Sequence, residues 1–245
     1  MTADPSGTQR LASPHGDGGP YRLKSGPLSS HGRILNFLQE LPRTVRILDV
    51  GTSTGYLGAA LRHLGFQHVS GIEREASCAD QARPSYERLA VCDMEWDALP
   101  WKEASFDVII CADVLEHLVE PAQVLRRLSR LIASGGWIVI SLPNIAHWSA
   151  RLSLLLGRFR YASCGLFDRG HVRFFTRQTA RELLKEAELT LGEALVTPLP
   201  IAHWCRDSAW TPCWRMIERL DWCLARLWPS LFAYQFVFVA RRSAA

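Results

Sequence analysis

The segment Ile47–Gly58 (ILDVGTSTGYLG) constrains the fold more than any other, because it joins an apolar run, a glycine-bounded turn and a helical pattern. The run Arg46–Val50 has the composition of a buried strand, and Tyr56–Leu64 has helical spacing. Glycine allows the backbone between them to approach a ligand closely, and free amide groups at a helix start bind anions. We therefore predict a ligand site where this strand meets this helix.

The spacing of Gly51, Gly55 and Gly58 disfavours two other nucleotide-binding patterns. A phosphate-binding loop needs a lysine followed by serine or threonine after its last glycine, and no such pair follows here. A dinucleotide fingerprint needs the order G-x-G-x-x-G, which these glycines do not have. The turn is therefore typical neither of a P-loop nor of an NAD or FAD site.

Apolar runs alternate with helical stretches over the first 141 residues. We predict helices at Ser30–Leu41, Tyr56–Leu64, 76–88 and Pro121–Ile132, and strands at Arg46–Val50, His68–Ile72, Leu89–Cys92, Phe106–Cys111 and Trp137–Ser141. In Ser134-Gly135-Gly136, a glycine would close the last of these helices in the left-handed conformation. The alternation predicts an α/β fold with a doubly wound, mostly parallel sheet, whose ligands bind at the carboxyl ends of the strands.

The last part of the chain changes pattern. Phe232–Arg241 predicts a long antiparallel strand beside Leu189–Val196, which brings the sheet to seven strands. Between them, a tryptophan-rich stretch at about 198–230 predicts a helical insert that packs on the domain or a dimer interface, covers the substrate, or lies on a membrane surface. Residues 1–28 are rich in Pro, Gly and Ser and predict a disordered tail, so that 29–245 would form a single domain.

Composition narrows the class of protein. The formal charge of +4, without a dense basic motif, does not indicate a nucleic-acid partner. The seven cysteines form no C-x-x-C pair, so we expect reduced thiols and no zinc site. The sequence begins without a signal-peptide pattern, and its apolar stretches are far shorter than the roughly 20 residues that span a bilayer. We therefore expect a cytoplasmic protein without stable membrane insertion.

Acidic residues follow successive strands. Glu73 ends the second strand, roughly 20 residues after the first glycine of the turn, which is the separation expected for an acid that binds ribose hydroxyls. Asp93 follows the third strand and Asp113 the fourth. In this order, the turn and the three acids indicate one nucleoside-binding site far more strongly than any one of them does.

With these acids in place, LDVGTSTGYLG resembles the first motif, D/E-x-G-x-G-x-G, of class I S-adenosylmethionine (SAM)-dependent methyltransferases, over about residues 30–197 plus the last strand. Ser53 stands where that motif has its middle glycine. The segments DVLEHL, SLPNIAHW, RLSLLLGRFRY and DRGHVRFFT are similar to a subgroup that includes MetW-like and UbiG-like bacterial proteins. The resemblance implies a Rossmann-like methyltransferase fold, SAM as the cofactor, S-adenosylhomocysteine (SAH) as its product, and no metal.

The resemblance also implies roles for the residues that match the family. Glu73 would hold the ribose, Asp93 the adenine amine and Gly51 the methionine part, with the backbone at Asp113 facing the sulfonium. The helix residues Ser30 and His31 would cover the cofactor. The predicted cofactor-binding residues are Asp49, Gly51, Thr52, Gly55, Glu73, Arg74, Cys92, Asp93, Met94, Ala112, Asp113 and His117.

Polar residues after the fourth and fifth strands are candidates for the acceptor side of the site, because they too would lie at the carboxyl edge of the sheet. Proximity provides much of the rate of methyl transfer, and a base helps when the acceptor is a hydroxyl. The predicted catalytic residues are His147, His171 and His117, and the predicted substrate-binding residues are Asn144, His147, Arg151, Tyr161, Asp168, His171 and Arg173. Roles in packing, capping or turns stay open for each of them.

Arginine is concentrated in the same region. From Arg151 to Arg181 there are seven arginines and one aspartate, a net charge of +6 in a chain of +4. Because arginine binds carboxylates and phosphates with two hydrogen bonds, we predict O-methylation of an acidic small molecule, with a solvated basic surface as the alternative. Methylation of nitrogen or carbon in a small molecule or peptide, a non-catalytic accessory role through protein contacts, and a homodimer also stay open.

Overall fold

The computed structural model describes residues 23–24, 26–200 and 211–242, which contain a seven-stranded sheet in the order β3-β2-β1-β4-β5-β7-β6. Most of the predicted tail, and Trp204 and Trp210 of the predicted insert, lie outside these residues. The strands are β1 (Arg46–Val50), β2 (His68–Glu73), β3 (Arg88–Val91), β4 (Phe106–Ala112), β5 (Ile132–Pro143), β6 (Leu189–Thr197) and β7 (Gln235–Arg242). The helices are α1 (Ser30–Gln39), α2 (Tyr56–His63), α3 (Ala76–Ala82), α4 (Pro121–Leu131), α5 (Trp148–Leu155), α6 (Arg177–Glu186), α7 (Thr211–Leu227) and α8 (Pro229–Phe232).

The first five strands are parallel, and β7 runs antiparallel between β5 and β6. This confirms the prediction of a mostly parallel, seven-stranded sheet with an antiparallel last strand. The chain winds outward from β1 in one direction through β2 and β3, then returns to place β4 on the other side of β1. A crevice opens at such a reversal of strand order, at the carboxyl ends of the two strands.

Alternate residues of the central strands enter two hydrophobic cores, one on each face of the sheet. Leu48 and Ile109 pack in the core that contains residues of α4 and α6. Their neighbours Ile47 and Ile110 pack in the core that contains residues of α1 and α2. Because both faces are covered, the strands are apolar throughout, which explains why continuous apolar runs predicted them.

The boundary between α4 and β5 differs from the prediction. The helix ends at Leu131, and Ile132 already pairs with Phe106 of β4. Gly135 does adopt a left-handed φ of +76°, but it lies within β5 at a shift in the strand register. The prediction that this glycine closes the helix is therefore wrong, because the sheet accommodates the extra residues as a bulge.

Two other predicted elements are shorter in the structure. Helix α3 ends at Ala82, since Pro84 lies in a short 3-10 helix, Arg83–Ser85, that follows it. Strand β7 begins at Gln235 rather than Phe232, because Pro229–Phe232 forms the short helix α8. Among the residues that the structure describes, every helix is too short or too polar to cross a membrane.

Candidate active site

A cavity of about 1530 Å³ lies at the carboxyl ends of β1, β2, β3 and β4. The strand ends contribute residues that the sequence had singled out, and residues from the loop after β5 and from the end of β6 continue the wall. The predicted site residues that line the cavity are Gly51, Glu73, Arg74, Asp93, Met94, Ala112, Asp113, His117, Asp168 and His171.

The turn between β1 and α2 brings its backbone to the cavity wall. Gly51 has a φ of +75°, and a Cβ on it would lie 2.7 Å from Cγ2 of Val114, so that no side chain fits there. Gly55 has a φ of +84° and begins α2. Ser53 also takes the left-handed region, with a φ of +48°, which costs a non-glycine residue about 1 kcal/mol. The serine therefore adopts, at this cost, a backbone conformation that glycine adopts without strain.

Glu73 is held by three backbone amides at the end of β2. The amide of Ser53 donates to Oε2 (2.7 Å), and the amides of Arg74 (2.9 Å) and Glu75 (3.0 Å) donate to Oε1. A carboxylate has about four lone-pair sites, so acceptor capacity remains for a ligand hydroxyl. The contact with Ser53 also ties the glycine turn to β2.

Asp93 lies at the same edge, after β3. Its Oδ1 accepts a hydrogen bond from the amide of Glu95 (2.9 Å), and Nη1 of Arg74 lies 3.9 Å from its Oδ2. Met94 is buried and lines the cavity beside it. This end of the cavity therefore combines a carboxylate with an apolar wall, as a heterocycle with an exocyclic amine requires.

Asp49, one of the predicted cofactor residues, does not line the cavity. It is fully buried behind the turn, where the hydroxyl of Tyr86 donates to its Oδ2 (2.5 Å) and accepts from the amide of Gly58 (3.1 Å). Burial raises the pKa of Asp49 to about 7, against the hydrogen bond from Tyr86. Asp49 thus supports the turn through Tyr86, and with Gly51 and Thr52 it lines a small pocket behind the main cavity.

Asp113 is the centre of a polar cluster at the middle of the cavity. It has a left-handed φ of +56°, and it accepts hydrogen bonds from the ammonium of Lys24 (2.5 Å), the hydroxyl of Ser141 (2.5 Å) and the side-chain amide of Gln235 (2.8 Å). Burial alone would raise the pKa of Asp113, but the charge of Lys24 and the hydrogen bonds from Lys24 and Ser141 hold it well below its usual value. The cluster joins the segment before α1 to β4, β5 and β7.

His31 covers this cluster from α1 and lines the cavity. Its Nδ1 accepts a hydrogen bond from the amide of Lys24 (2.9 Å), and burial lowers its pKa to about 4. The hydroxyl of Ser30 lies 3.4 Å from Oδ2 of Asp113. The start of α1 therefore lies over the centre of the site, where the family resemblance placed it.

Beyond Asp113, two histidines and a buried acid form the next part of the wall. The His117 and His171 ring centres are 5.0 Å apart, and Nε2 of His171 lies 3.9 Å from Oε1 of Glu116. His117 donates from Nδ1 to the carbonyl of Gly170 (2.9 Å). Burial, and next the ring of His117, lower the pKa of His171, so that the imidazole is neutral at neutral pH.

Glu116, His117 and His171 are described residues that could hold a metal ion, since each offers one ligand atom and these atoms lie within 4.8 Å of one another. Burial, and next the charge of Asp113, raise the pKa of Glu116 well above its usual value.

The remaining predicted residues, all within the described part of the chain, do not line the cavity. His147 is fully buried, and its Nδ1 accepts from the amide of Ser149 (3.3 Å) and caps α5. Asn144 accepts from the amide of Ala146 (3.1 Å) and donates to the carbonyl of Ala233 (2.8 Å). These side chains shape the loop after β5. The others that lie outside the wall are Thr52, Gly55, Cys92, Arg151, Tyr161 and Arg173.

Sequence reasoning missed Lys24, Glu116, Ser141 and Gln235, all of which lie around Asp113 or its neighbours. Lys24 belongs to the segment that composition predicted to be disordered. Gln235 did leave a signal, because it is the one polar residue of QFVFVA, the buried part of strand β7. A polar residue at a fully covered strand position needs a polar partner.

The comparison with known families agrees with this arrangement. Residues 27–194, more than half of the chain, match a family model described as a methyltransferase domain. The chain belongs to the class I SAM-dependent methyltransferases. This chain is 29% identical over 105 residues to a ubiquinone biosynthesis O-methyltransferase from Neisseria meningitidis serogroup A. The match covers 40% of this chain and 44% of the relative. The match thus spans less than half the length of that curated relative.

Solved methyltransferases share the fold. A SAM-dependent methyltransferase from Mesorhizobium loti gives a TM-score of 0.58 at 16% identity, over 87% of this chain and 98% of that chain. Magnesium protoporphyrin IX methyltransferase from Synechocystis with bound SAH gives 0.58 at 15% identity, over 87% and 82%. SAM is the cofactor of the family to which this chain belongs. The side-chain-free wall at Gly51 and the anchored carboxylate of Glu73 fit such a cofactor.

We predict that Asp49→Asn makes the methyltransferase more stable than the wild type at pH 8 and equally stable near pH 4. The folded-state pKa of Asp49, about 7, lies above its unfolded value of 3.8, so the folded state binds the proton more tightly and stability falls as pH rises between these values. Asparagine is neutral and still accepts from Tyr86. The difference in the free energy of unfolding between the variant and the wild type should be about 4 kcal/mol at pH 8, as measured by urea unfolding.

Asp107→Asn is the matched control, for which we expect the opposite change in stability at pH 8. The hydrogen bond from Arg46 lowers the pKa of Asp107, so its stabilising contribution is present above the unfolded pKa and is lost on acidification. We expect this variant to be less stable than the wild type at pH 8 by about 1 kcal/mol or less, because the pair is exposed. An Asp49→Asn protein that is less stable than the wild type at pH 8 would contradict the burial argument.

Proposed function

We propose that this methyltransferase transfers the methyl group of SAM to a hydroxyl group of a small, largely apolar acceptor. The observation that supports it is the continuity of one cavity from the glycine turn and Glu73, past Asp113, to an apolar end beside His171. Cofactor and acceptor would then meet near Asp113. The apolar end is lined by Pro143, Leu166, Phe167, Leu199 and Tyr234.

In this proposal the strand-end residues hold the cofactor. Glu73 accepts a hydrogen bond from a ribose hydroxyl, and Asp93 accepts one from the adenine amine, with Met94 against the ring. Gly51 allows the methionine part to lie against the backbone of the turn. SAM supplies a methyl group on a sulfonium, which is a good leaving group, so the protein has mainly to align the acceptor oxygen with that methyl group.

His171 is the base in this proposal. It lines the cavity beyond Asp113, and burial keeps its ring neutral, so that it can accept the proton of an acceptor hydroxyl as the oxygen attacks. His117 and Glu116 lie close to the ring, with ring centres 5.0 Å apart and Nε2 of His171 3.9 Å from Oε1 of Glu116, and help to fix its position. His147 is not at the cavity wall, because its ring is buried at the start of α5.

The positions of the arginines favour an uncharged acceptor. The seven arginines from Arg151 to Arg181 are all described, and none of them lines the cavity. The cations that do line it are Lys24, which is paired with Asp113, together with Arg74 and Arg219. A carboxylate or phosphate acceptor is bound best by a guanidinium, and the described arginine that could supply one near Leu199 is Arg219, which lines the cavity together with the adjacent Glu218. The Neisseria relative, an O-methyltransferase of ubiquinone biosynthesis, supports oxygen as the methylated atom.

We predict that Glu73→Gln weakens SAH binding about 10- to 100-fold, because hydrogen bonds to a charged group contribute about 1.5–3 kcal/mol. Isothermal titration with SAH measures it. Glu87→Gln is the matched control, since Glu87 is exposed on the strand edge and pairs only with His68 among its charged neighbours in the described chain. Wild-type affinity in a folded Glu73→Gln protein would rule out the ribose role, and no SAH binding by the wild type would rule out the enzyme.

We predict that His171→Gln lowers kcat about 100-fold or more, with an SAH affinity close to that of the wild type. In the wild type, kcat should rise with pH through a midpoint below 6.5 and then stay level, because the pKa of His171 is lowered. The assay uses methyl-labelled SAM with phenols and catechols that have alkyl tails of increasing length. His147→Gln is the control: it removes a helix cap and lowers stability by about 1 kcal/mol without changing kcat.

Transfer of the label to amines or carboxylates in the same assay, with no transfer to any hydroxyl, would overturn the proposed acceptor. An unchanged kcat in His171→Gln would overturn the proposed base and leave the choice of acceptor intact.

A further inference from the structure

An exposed surface of leucines and arginines lies beside the acceptor end of the cavity. It comprises helix α5 from Arg151 onward and the residues that follow it, up to Tyr161, and we call it the leucine–arginine surface. Leu155 is 83% exposed and Leu156 is 58% exposed, although leucine is among the residues most often buried. The exposed large apolar residues of this surface are Leu152, Leu154, Leu155, Leu156, Phe159 and Tyr161.

The backbone of this surface is well formed. The amides of Leu156 and Gly157 donate to Leu152 (3.1 Å) and Leu154 (2.9 Å), and the amide of Arg158 donates to Ser153 (2.8 Å). The hydroxyl of Ser153 returns a hydrogen bond to the carbonyl of Arg158 (2.8 Å). The helix end therefore fixes the leucines on the outside, and Ala150 is the residue of α5 that is fully buried.

The charge of the leucine–arginine surface has one sign. It includes Arg151, Arg158 and Arg160, and the sequence contains no acidic residue between Glu120 and Asp168. Within the described chain, Arg158 and Arg160 are in no ion pair. A partner for this surface must therefore supply both negative charge and apolar volume.

The surface is continuous with the cavity wall. Ser149 and Ala162, on either side of it in the chain, line the cavity. The ring of Phe159 packs edge-on against Phe167 with centres 5.0 Å apart, and Phe167 lines the cavity. Whatever binds the leucine–arginine surface therefore lies next to the acceptor end of the site.

A second copy of the chain does not supply the complementary charge. A two-fold contact between two leucine–arginine surfaces would bring the arginines of both copies together. Another exposed apolar face, on α7, includes Leu220 and Leu227. The acids of this helix lie on its inner side, where Glu218 lines the cavity and Asp221 accepts a hydrogen bond from the backbone amide of Leu199. Helix α7 thus has acids within its own sequence, which the leucine–arginine surface does not.

We propose that the leucine–arginine surface docks on the surface of a bilayer that contains anionic phospholipids. The leucines and Phe159 enter the boundary between headgroups and acyl chains, while Arg158 and Arg160 bind lipid phosphates. This needs no membrane-spanning helix, and every described helix is too short or too polar for that role. A consequence, which rests on the proposed function, is that an apolar acceptor enters the cavity from the bilayer.

Co-sedimentation with vesicles tests the docking without any methyl-transfer assay. We expect the full chain to bind vesicles of equal parts phosphatidylglycerol and phosphatidylcholine, and to bind pure phosphatidylcholine at least tenfold more weakly. Binding should weaken as salt rises, because the phosphate contacts are screened. Arg158→Gln with Arg160→Gln should weaken binding to the anionic vesicles roughly tenfold or more.

A second pair of variants separates this surface from α7. Leu155→Ser with Leu156→Ser should weaken binding about tenfold, whereas the matched pair Leu220→Ser with Leu227→Ser, on α7, should not. None of the four substituted leucines lines the cavity, so SAH affinity should stay at the wild-type value in both and serves as the folding control.

Equal binding to both kinds of vesicle, no binding to either, or loss of binding only in the α7 pair would overturn the proposal. So would a wild-type dimer that becomes a monomer in the Leu155→Ser, Leu156→Ser variant, as measured by light scattering without vesicles, because a second copy would then cover the surface. Failure of SAH binding would instead affect the proposed function alone, since the vesicle assay does not depend on it.

Discussion

The placement of β4 beside β1 is the constraint on which the rest of the structure depends. Parallel pairing of Val50 with Cys111 puts the glycine turn after β1 next to the residue that follows β4, and β2 pairs with β1 on the other side. Gly51, Glu73 and Asp113 therefore meet at one edge of the sheet, although they are distant in sequence. The left-handed backbone at Ser53 and Asp113 lies at these strand ends, where strained conformations are held by the surrounding fold.

The parts of the structure that the sequence predicts are those with a local cause. Strands covered on both faces need continuous apolar runs, and the acids at strand ends occupy positions that depend only on where each strand stops. For this reason Glu73, Asp93 and Asp113 could be named from spacing. Lys24 could not, because its role depends on a contact with Asp113 that only the folded chain creates, and its own surroundings in sequence are typical of a disordered tail.

The three candidate histidines show the same dependence on tertiary contacts, which the sequence does not reveal. His117, His147 and His171 all follow strand ends in regions of similar composition, so sequence gives no reason to prefer one of them. The decisive difference is tertiary: the loop 162–171 folds back so that His171 lies against His117 at the cavity, whereas His147 turns inward and caps α5. Gly135 is a parallel case in the fold, since a left-handed glycine suits a helix end and a strand bulge equally well.

The arginines of the region 151–181 show most clearly that the composition of a segment does not tell where its side chains lie in the fold. Their net charge of +6 is compatible with an anionic ligand inside the site or an anionic partner outside it. None of them lines the cavity, and Arg158 and Arg160 lie beside exposed leucines on the outside of the fold. The proposed neutral acceptor within the cavity and the proposed anionic lipid surface outside it therefore rest on the same placement of charge.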